Sequence, residues 1–278
     1  MFTRLRSFVK RHFPLLRIAY RAMRSERLAS ATPILTPHGF LLVAENTSMT
    51  VGTFERAEID LLRAELDDSD VFVDIGANVG LYTCLAARTG KHVIAIEPLA
   101  SNVAVLLHNL AVNKLTEVEV FPIALSSAPG LLTLYGSGTG ASVIKGWAGT
   151  SAIDGACLVP VNSLDALIAD RFAGKRLIIK IDVEGHETDL LTGAVRTLAM
   201  NPKPRWLIEV IPEEHHPSGA NPSYVRTFET LWRAGYCSYT ADTTRRPVQR
   251  DHVVDWATKG RVEFGSHNYW SVHPRSEA

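Results

Sequence analysis

From about residue 53 the chain alternates short, β-branched apolar runs with segments of helical periodicity, and few architectures accommodate that rhythm. The pattern predicts helices over 53–66, 79–88 and 101–112, interleaved with strands at 71–74, 92–97 and 118–122. Residues 126–162, rich in Gly and Ser, interrupt it and read as an insertion of hairpins and loop, with strand-like pieces at 131–135 and 158–161. The alternation then resumes. Ser163 caps a helix to about Ala169, followed by a strand at 177–181, a helix over 187–200 and a strand at 206–211. Asn221-Pro222 reads as an N-cap with proline at the first helical position, opening a helix to Ala234. Strands at 236–240 and 269–272 close the series, with little helical pattern between them, so the last is expected to run antiparallel. Such an order specifies an α/β fold, a mostly parallel seven-strand sheet with helices on both faces.

The 278 residues hold 29 Lys+Arg against 29 Asp+Glu and are 46% hydrophobic, which excludes a disordered or collagen-like chain. The neutral total conceals two unlike parts. Residues 1–27 carry eight basic residues and one acid, so the rest is acidic by seven charges. We therefore read residues 1–50 as a basic N-terminal helical extension and 51–278 as the main domain. Three readings of residues 1–27 stay open: a peripheral contact with an anionic membrane, a targeting peptide, or a helix packed on the acidic body or paired with another subunit. No stretch approaches the ~18 apolar residues of a membrane span. Cys84, Cys157 and Cys237 form no CxxC pair and are expected to be buried, reduced thiols, consistent with a cytoplasmic chain.

In an open α/β sheet, ligands bind beyond the carboxyl ends of the strands. Here that place holds Asp74-Ile75-Gly76-Ala77-Asn78-Val79-Gly80, with Glu97 ending the next strand. A dinucleotide fingerprint would read GxGxxG; this turn is GxxxG, with a carboxylate directly before it. A pyrophosphate beside Asp74 would be repelled. S-adenosylmethionine brings a sulfonium and an amino group instead, which suit Asp74, while Asn78 and the turn's backbone amides suit its carboxylate. Glu97 is placed for ribose hydroxyls. No nucleic-acid partner is expected of this acidic body.

The run VFVDIGANVGLYT with Glu97-Pro98 resembles the class I S-adenosylmethionine-dependent methyltransferases, and the chain as a whole resembles their FkbM family. A second block supports this, Ile178-Ile179-Lys180-Ile181-Asp182-Val183-Glu184-Gly185-His186-Glu187 with Leu190-Leu191 and Gly193. So do Val161 to Asp165, the strand ending at Glu209, and Asn268-Tyr269-Trp270. The resemblance covers about residues 53–273. It implies a Rossmann-like class I methyltransferase fold and O-methylation of a hydroxyl on a sugar, glycan or natural product. It implies S-adenosylmethionine held by Asp74, Gly76, Asn78 and Gly80 at its methionine end, by Glu97 at the ribose, and by Pro98 and Asn102 near the adenine. Asp182 belongs to the cofactor side.

A hydroxyl is a poor nucleophile until its proton leaves, so a general base helps, and Glu184 or His186 is the candidate. Glu187 suits the positive end of its helix. Asp182, Glu184 and Glu209 offer hard oxygen atoms to Mg²⁺, although their sequence positions fix no mutual distance. The loop 136–142, a phosphate-cradle look-alike without the GK[ST] ending, would cover the site or form a surface turn. His215-His216 and Arg245-Arg246 read as solvated loops or as parts of the acceptor mouth. Two rival functions remain, a nucleotide- or NAD-binding oxidoreductase and a non-catalytic scaffold retaining the fold.

Overall fold

A computed structural model of the chain describes residues 31–150, 156–168, 170–213 and 215–274. The basic segment 1–27 lies outside them. Residues 31–50 do not continue as a helical extension. They form a small hairpin, β1 (Ile34–Leu35) and β2 (Leu41–Leu42), and a single-turn helix, α1 (Thr47–Val51), capped by the Asn46 side chain. Phe40, Leu42, Val43 and Met49 are buried in the main core. The amides of Leu41 and Val43 donate to the Asn113 and Asn109 side chains, 2.8 Å in each case. This hairpin is part of the domain.

The core then follows in order: α2 (Arg56–Leu66), β3 (Val71–Ile75), α3 (Leu81–Ala87), β4 (His92–Ile96), α4 (Ala100–Val112), β5 (Val118–Phe121) and β6 (Ala124–Leu125). The insertion supplies β7 (Gly130–Tyr135) and β8 (Ala156–Asn162), which with β6 make a separate three-stranded sheet. The second half runs α5 (Leu164–Ile168), β9 (Leu177–Ile181), α6 (Glu187–Thr192), α7 (Val195–Leu198), β10 (Arg205–Glu209), α8 (Tyr224–Arg233), β11 (Cys237–Thr240), β12 (Pro247–Val248), α9 (Arg250–Lys259) and β13 (Asn268–Val272).

The main sheet has the order β12-β11-β13-β10-β9-β3-β4-β5. It has eight strands, one more than expected, because the two-residue β12 adds an edge beside β11. β10, β9, β3, β4 and β5 are mutually parallel, and β13 slots antiparallel between β10 and β11. The period-2 alternation of strands divides the core. Val73, Ile179 and Ile208 face a cluster completed by Leu190, Phe228 and Trp256 from α6, α8 and α9. Phe72, Ile178 and Leu207 face a second cluster with Leu62, Leu85 and Leu106 from α2, α3 and α4. Helices thus cover both faces.

Three further expectations fail locally. The helix read over 187–200 is two short helices, because the chain at Gly193 passes against the insertion: a Cβ there would stand 2.2 Å from the Ser126 carbonyl oxygen. The helix α9 was not legible, since it buries only Val253 and Trp256 and carries charge elsewhere. Cys84 is buried as expected, but Cys157 and Cys237 are exposed. Among the described residues no helix is long and apolar enough to cross a membrane.

Candidate active site

The chain leaves β3 toward β4 and β5, then returns to place β9 on the other side of β3. The crevice of this sheet therefore opens where the turns after β3 and β9 meet. These turns touch. The Asp182 amide donates to the Ile75 carbonyl at 3.0 Å. A Cβ on Gly76 would sit 1.8 Å from the Asp182 carbonyl oxygen, so only glycine fits, and its φ is +81°.

The first turn is held by its own backbone. The Gly76 and Ala77 amides both donate to the Ile96 carbonyl, and the Gly80 amide donates to Ala77. The Asn78 amide donates to Glu97 Oε2 at 2.8 Å, and Glu97 Oε1 accepts from the Leu99 amide and the Asn102 side chain. Four turn amides are thus already engaged, so they are not available to a ligand carboxylate as the sequence suggested. Glu97 is 5% exposed, and burial pushes its carboxyl up to about 7 against the pull of those amides. A carboxylate has about four acceptor positions, of which three are used, leaving room for one more donor.

Around this turn lies a cleft. Gly76, Asn78, Glu97, Pro98, Asn102, Asp182, Glu184 and His186 all line it, with Ile123 and Leu125 as an apolar wall. Gly138, Thr139 and Ala141 of the glycine-rich loop cover it. Eight of the ten residues selected from sequence therefore meet in one place. Gly80 is not among its lining residues, and Asp74 opens instead on an adjoining cavity. The two spaces share Gly76, Asn78, Thr139, Asp182 and Glu184.

The second cavity is acid-lined, for a reason that starts in the strand register. Asp74 pairs with Lys180, and Lys180 with Leu207, so Asp74, Lys180 and Glu209 fall on the same sheet face. Glu55, at the start of α2, joins them. Lys180 is 3% exposed in a strand that is otherwise Leu and Ile, and its Nζ lies 3.0 Å from Asp182 Oδ2 and 4.7 Å from the centre of the Tyr82 ring. Burial alone would lower its pKa, but Asp182, Glu55 and Asp74 outweigh that and hold it charged. Burial would likewise raise Asp182, and Lys180 overrides it downward. Glu209, half-buried and hydrogen-bonded to Asp182, is held well above the carboxylate range by desolvation and that neighbouring charge. Glu55 is pushed up to about 7 by burial and accepts a 2.5 Å hydrogen bond from the Tyr82 hydroxyl.

Glu184 stands where the two spaces join. Its backbone is left-handed, φ +53°, and its Oε2 accepts from Trp147 Nε1 at 2.5 Å. Burial and the neighbouring Asp182 push its carboxyl up to about 8. His186 lines only the first cleft. Its Nε2 is 3.0 Å from Ser126 Oγ and its Nδ1 3.4 Å from Asp189 Oδ2, and burial lowers its pKa. Glu187 turns back to accept from the Gly185 amide at 2.8 Å, fixing the turn.

His215 and His216 pack edge-on against Trp147, supporting the cover. Arg245 pairs with Glu65, and Arg246 lies over the Phe264 ring, so both are structural. Glu55, Lys180, Tyr82 and Trp147 had no assigned role from sequence. Lys180 alone carried a readable signal, a single charge inside an otherwise fully apolar strand.

Over 148 residues the chain is 30% identical to hexuronic acid methyltransferase AglP of Haloferax volcanii, covering 52% of this chain and 58% of that protein. The chain thus spans little more than half the length of this curated relative. Among solved structures, methyltransferase FkbM from Methylobacillus flagellatus is 20% identical over 74% of this chain and 44% of its own, with a TM-score of 0.43. A TehB-like SAM-dependent methyltransferase from Corynebacterium glutamicum is 11% identical over 81% and 90%, with a TM-score of 0.44. Residues 74–237 match the methyltransferase FkbM domain, a span that opens on Asp74 and contains both turns, and the chain belongs to that family.

Proposed function

We propose that the protein transfers a methyl group from S-adenosylmethionine to a hydroxyl of a sugar, glycan or natural product, with Glu184 as the base. The reading is carried by one observation: Glu184 lines both the cleft beside Glu97 and the acid-lined cavity, where a cofactor and an acceptor would meet. The residues present fit the cofactor. Among the described residues no lysine or arginine lines the first cleft, as a phosphate-bearing cofactor would want, and the buried Asp74 Oδ1 has no hydrogen-bond partner. When bound, S-adenosylmethionine supplies a methyl group on a positively charged sulfur, displaced by the acceptor oxygen as the sulfur–carbon bond breaks. Glu97 would take a ribose hydroxyl on its remaining lone pair, while Pro98, Asn102 and the Ile123–Leu125 wall enclose the base. Gly76 and Asn78 would lie along the methionine end, with Asp74 beneath. Gly80 supports the turn from outside the cleft.

Glu184 is favoured over His186 because both His186 ring nitrogens are engaged and it lies away from the acid cavity. A positioned base contributes about 10²–10⁴-fold, and a carboxyl raised to about 8, once ionised, accepts an alcohol proton more readily than a surface one. The acid-lined cavity favours a neutral polyhydroxylated acceptor. Incubation with methyl-labelled S-adenosylmethionine and a panel of sugars tests this; label in an O-methyl group is expected, and label carried on nitrogen or carbon would overturn the hydroxyl assignment. For residues 1–27 we propose peripheral attachment to anionic membranes from the cytoplasmic side. Deleting them should abolish sedimentation with phosphatidylserine vesicles, and unchanged sedimentation would refute it.

A further inference from the structure

We propose that the acid cavity is a divalent-cation site, with the carboxylates of Glu55, Asp182 and Glu209 as its protein ligands. The three come from separate elements, the start of α2, the turn after β9 and the end of β10, and converge in space. One oxygen of each lies within 4.8 Å of the other two. Opposite oxygen ligands stand about 4.2 Å apart around Mg²⁺ and about 4.8 Å apart around Ca²⁺, given metal–oxygen distances of about 2.1 and 2.4 Å. The spacing therefore accommodates a single ion. A set made only of oxygen selects Mg²⁺, Ca²⁺ or Mn²⁺ over softer metals.

A second observation points the same way. Asp74 is 1% exposed and lines this cavity; its Oδ2 accepts from Thr83 at 2.5 Å, but its Oδ1 has no hydrogen-bond partner among the described residues. A buried carboxylate oxygen without a partner is costly unless a cation or a donor reaches it. Among the described residues Lys180 is the single cation lining the cavity, against five carboxyl groups, those of Glu55, Asp74, Asp182, Glu184 and Glu209. Its ammonium makes its ion pair with Asp182. The cavity thus offers more carboxyl groups than its one lysine can pair, and an ion entering it would displace their protons. Positions of the ion not filled by protein would be open to water or to neighbouring hydroxyls of an acceptor. Cation binding is read without turnover, so its failure is distinct from failure of the methyl-transfer reading.

The test is Mn²⁺ binding to the full chain, followed by electron paramagnetic resonance, with Mg²⁺ as competitor and with or without saturating S-adenosylmethionine. One Mn²⁺ per chain is expected, displaced by Mg²⁺ and retained with the cofactor. Glu55→Gln and Glu209→Gln should each weaken it at least tenfold, while Asp255→Asn, in an exposed surface pair, leaves it unchanged. If one variant fails to fold by its thermal melt, the other carries the comparison. Absence of saturable binding, equal binding in the Gln variants, or loss of the ion on adding S-adenosylmethionine would each overturn the proposal, the last by assigning these acids to the cofactor's ammonium.

Discussion

The turns after β3 and β9 lie side by side at one sheet edge, yet different forces hold them. The turn at 76–80 is a backbone object. Its amides are engaged internally, its glycine is forced by contact with the Asp182 carbonyl, and its one adjoining carboxylate of the second strand, Glu97, is fixed by three donors. The turn at 182–187 is an electrostatic object. Asp182 leans on Lys180 and Glu209, Glu184 on Trp147, His186 on Ser126 and Asp189. A rigid backbone cradle can hold a cofactor that is the same at each turnover, whereas titratable groups held in place by neighbouring charges suit the chemistry done beside it. Substitutions in the first turn should act on binding, and those in the second on rate.

The largest expected effect is in the second turn. Glu184→Gln keeps the size of the side chain and removes the base, so kcat should fall by about 10²–10⁴-fold while S-adenosylmethionine affinity stays within about twofold. Steady-state kinetics with calorimetry separate the two, and unchanged kcat removes Glu184 from the chemistry. Gly76→Ala comes next. Its methyl would collide with a carbonyl oxygen that cannot rotate away, so the turn must shift; a misplacement of about 1 Å can cost about 100-fold, here in cofactor affinity. Normal affinity in that variant would show that the first turn is not the cradle.

A pH series sharpens the contrast. Glu97 must be ionised to accept a ribose hydroxyl, so affinity should rise up to about tenfold per pH unit below about 7 and level off above it. Glu97→Gln should flatten this curve, and an unaltered curve would remove Glu97 from the ribose. The same raised carboxyl has the opposite effect on the free fold. Glu97 and Glu187, both held near 7, bind protons more tightly folded than unfolded. Their contribution to stability is full below about 4.5, the unfolded value, and is lost as pH rises through about 7. Melting temperature without cofactor should fall over that window, and a rising one would contradict the burial of these acids. The smallest effect is expected of His186→Ala, a kcat change of under about tenfold, too little for a general base. A loss of 10²-fold or more would exchange the roles of His186 and Glu184.

The same contrast explains what the sequence could tell. Strand runs such as 177–181 and the glycine turn after β3 are local signals, and they located both turns and eight residues of the cleft. The acid cavity depends on register. That Asp74 lies beside Lys180, and Lys180 beside Leu207, follows from pairing between distant segments. Glu55 reaches the site from a helix start that looks ordinary in sequence, and Trp147 from inside the insertion. The edge strand β12 and the charged helix α9 were missed because each has too little apolar pattern to stand above its surroundings.

Isothermal titration with S-adenosylmethionine and with NAD addresses the central claim most directly. Saturable heat is expected with S-adenosylmethionine and none with NAD, the signal being retained in Glu184→Gln and lost or strongly weakened in Gly76→Ala. No heat with S-adenosylmethionine, or tighter binding of NAD, would contradict the account.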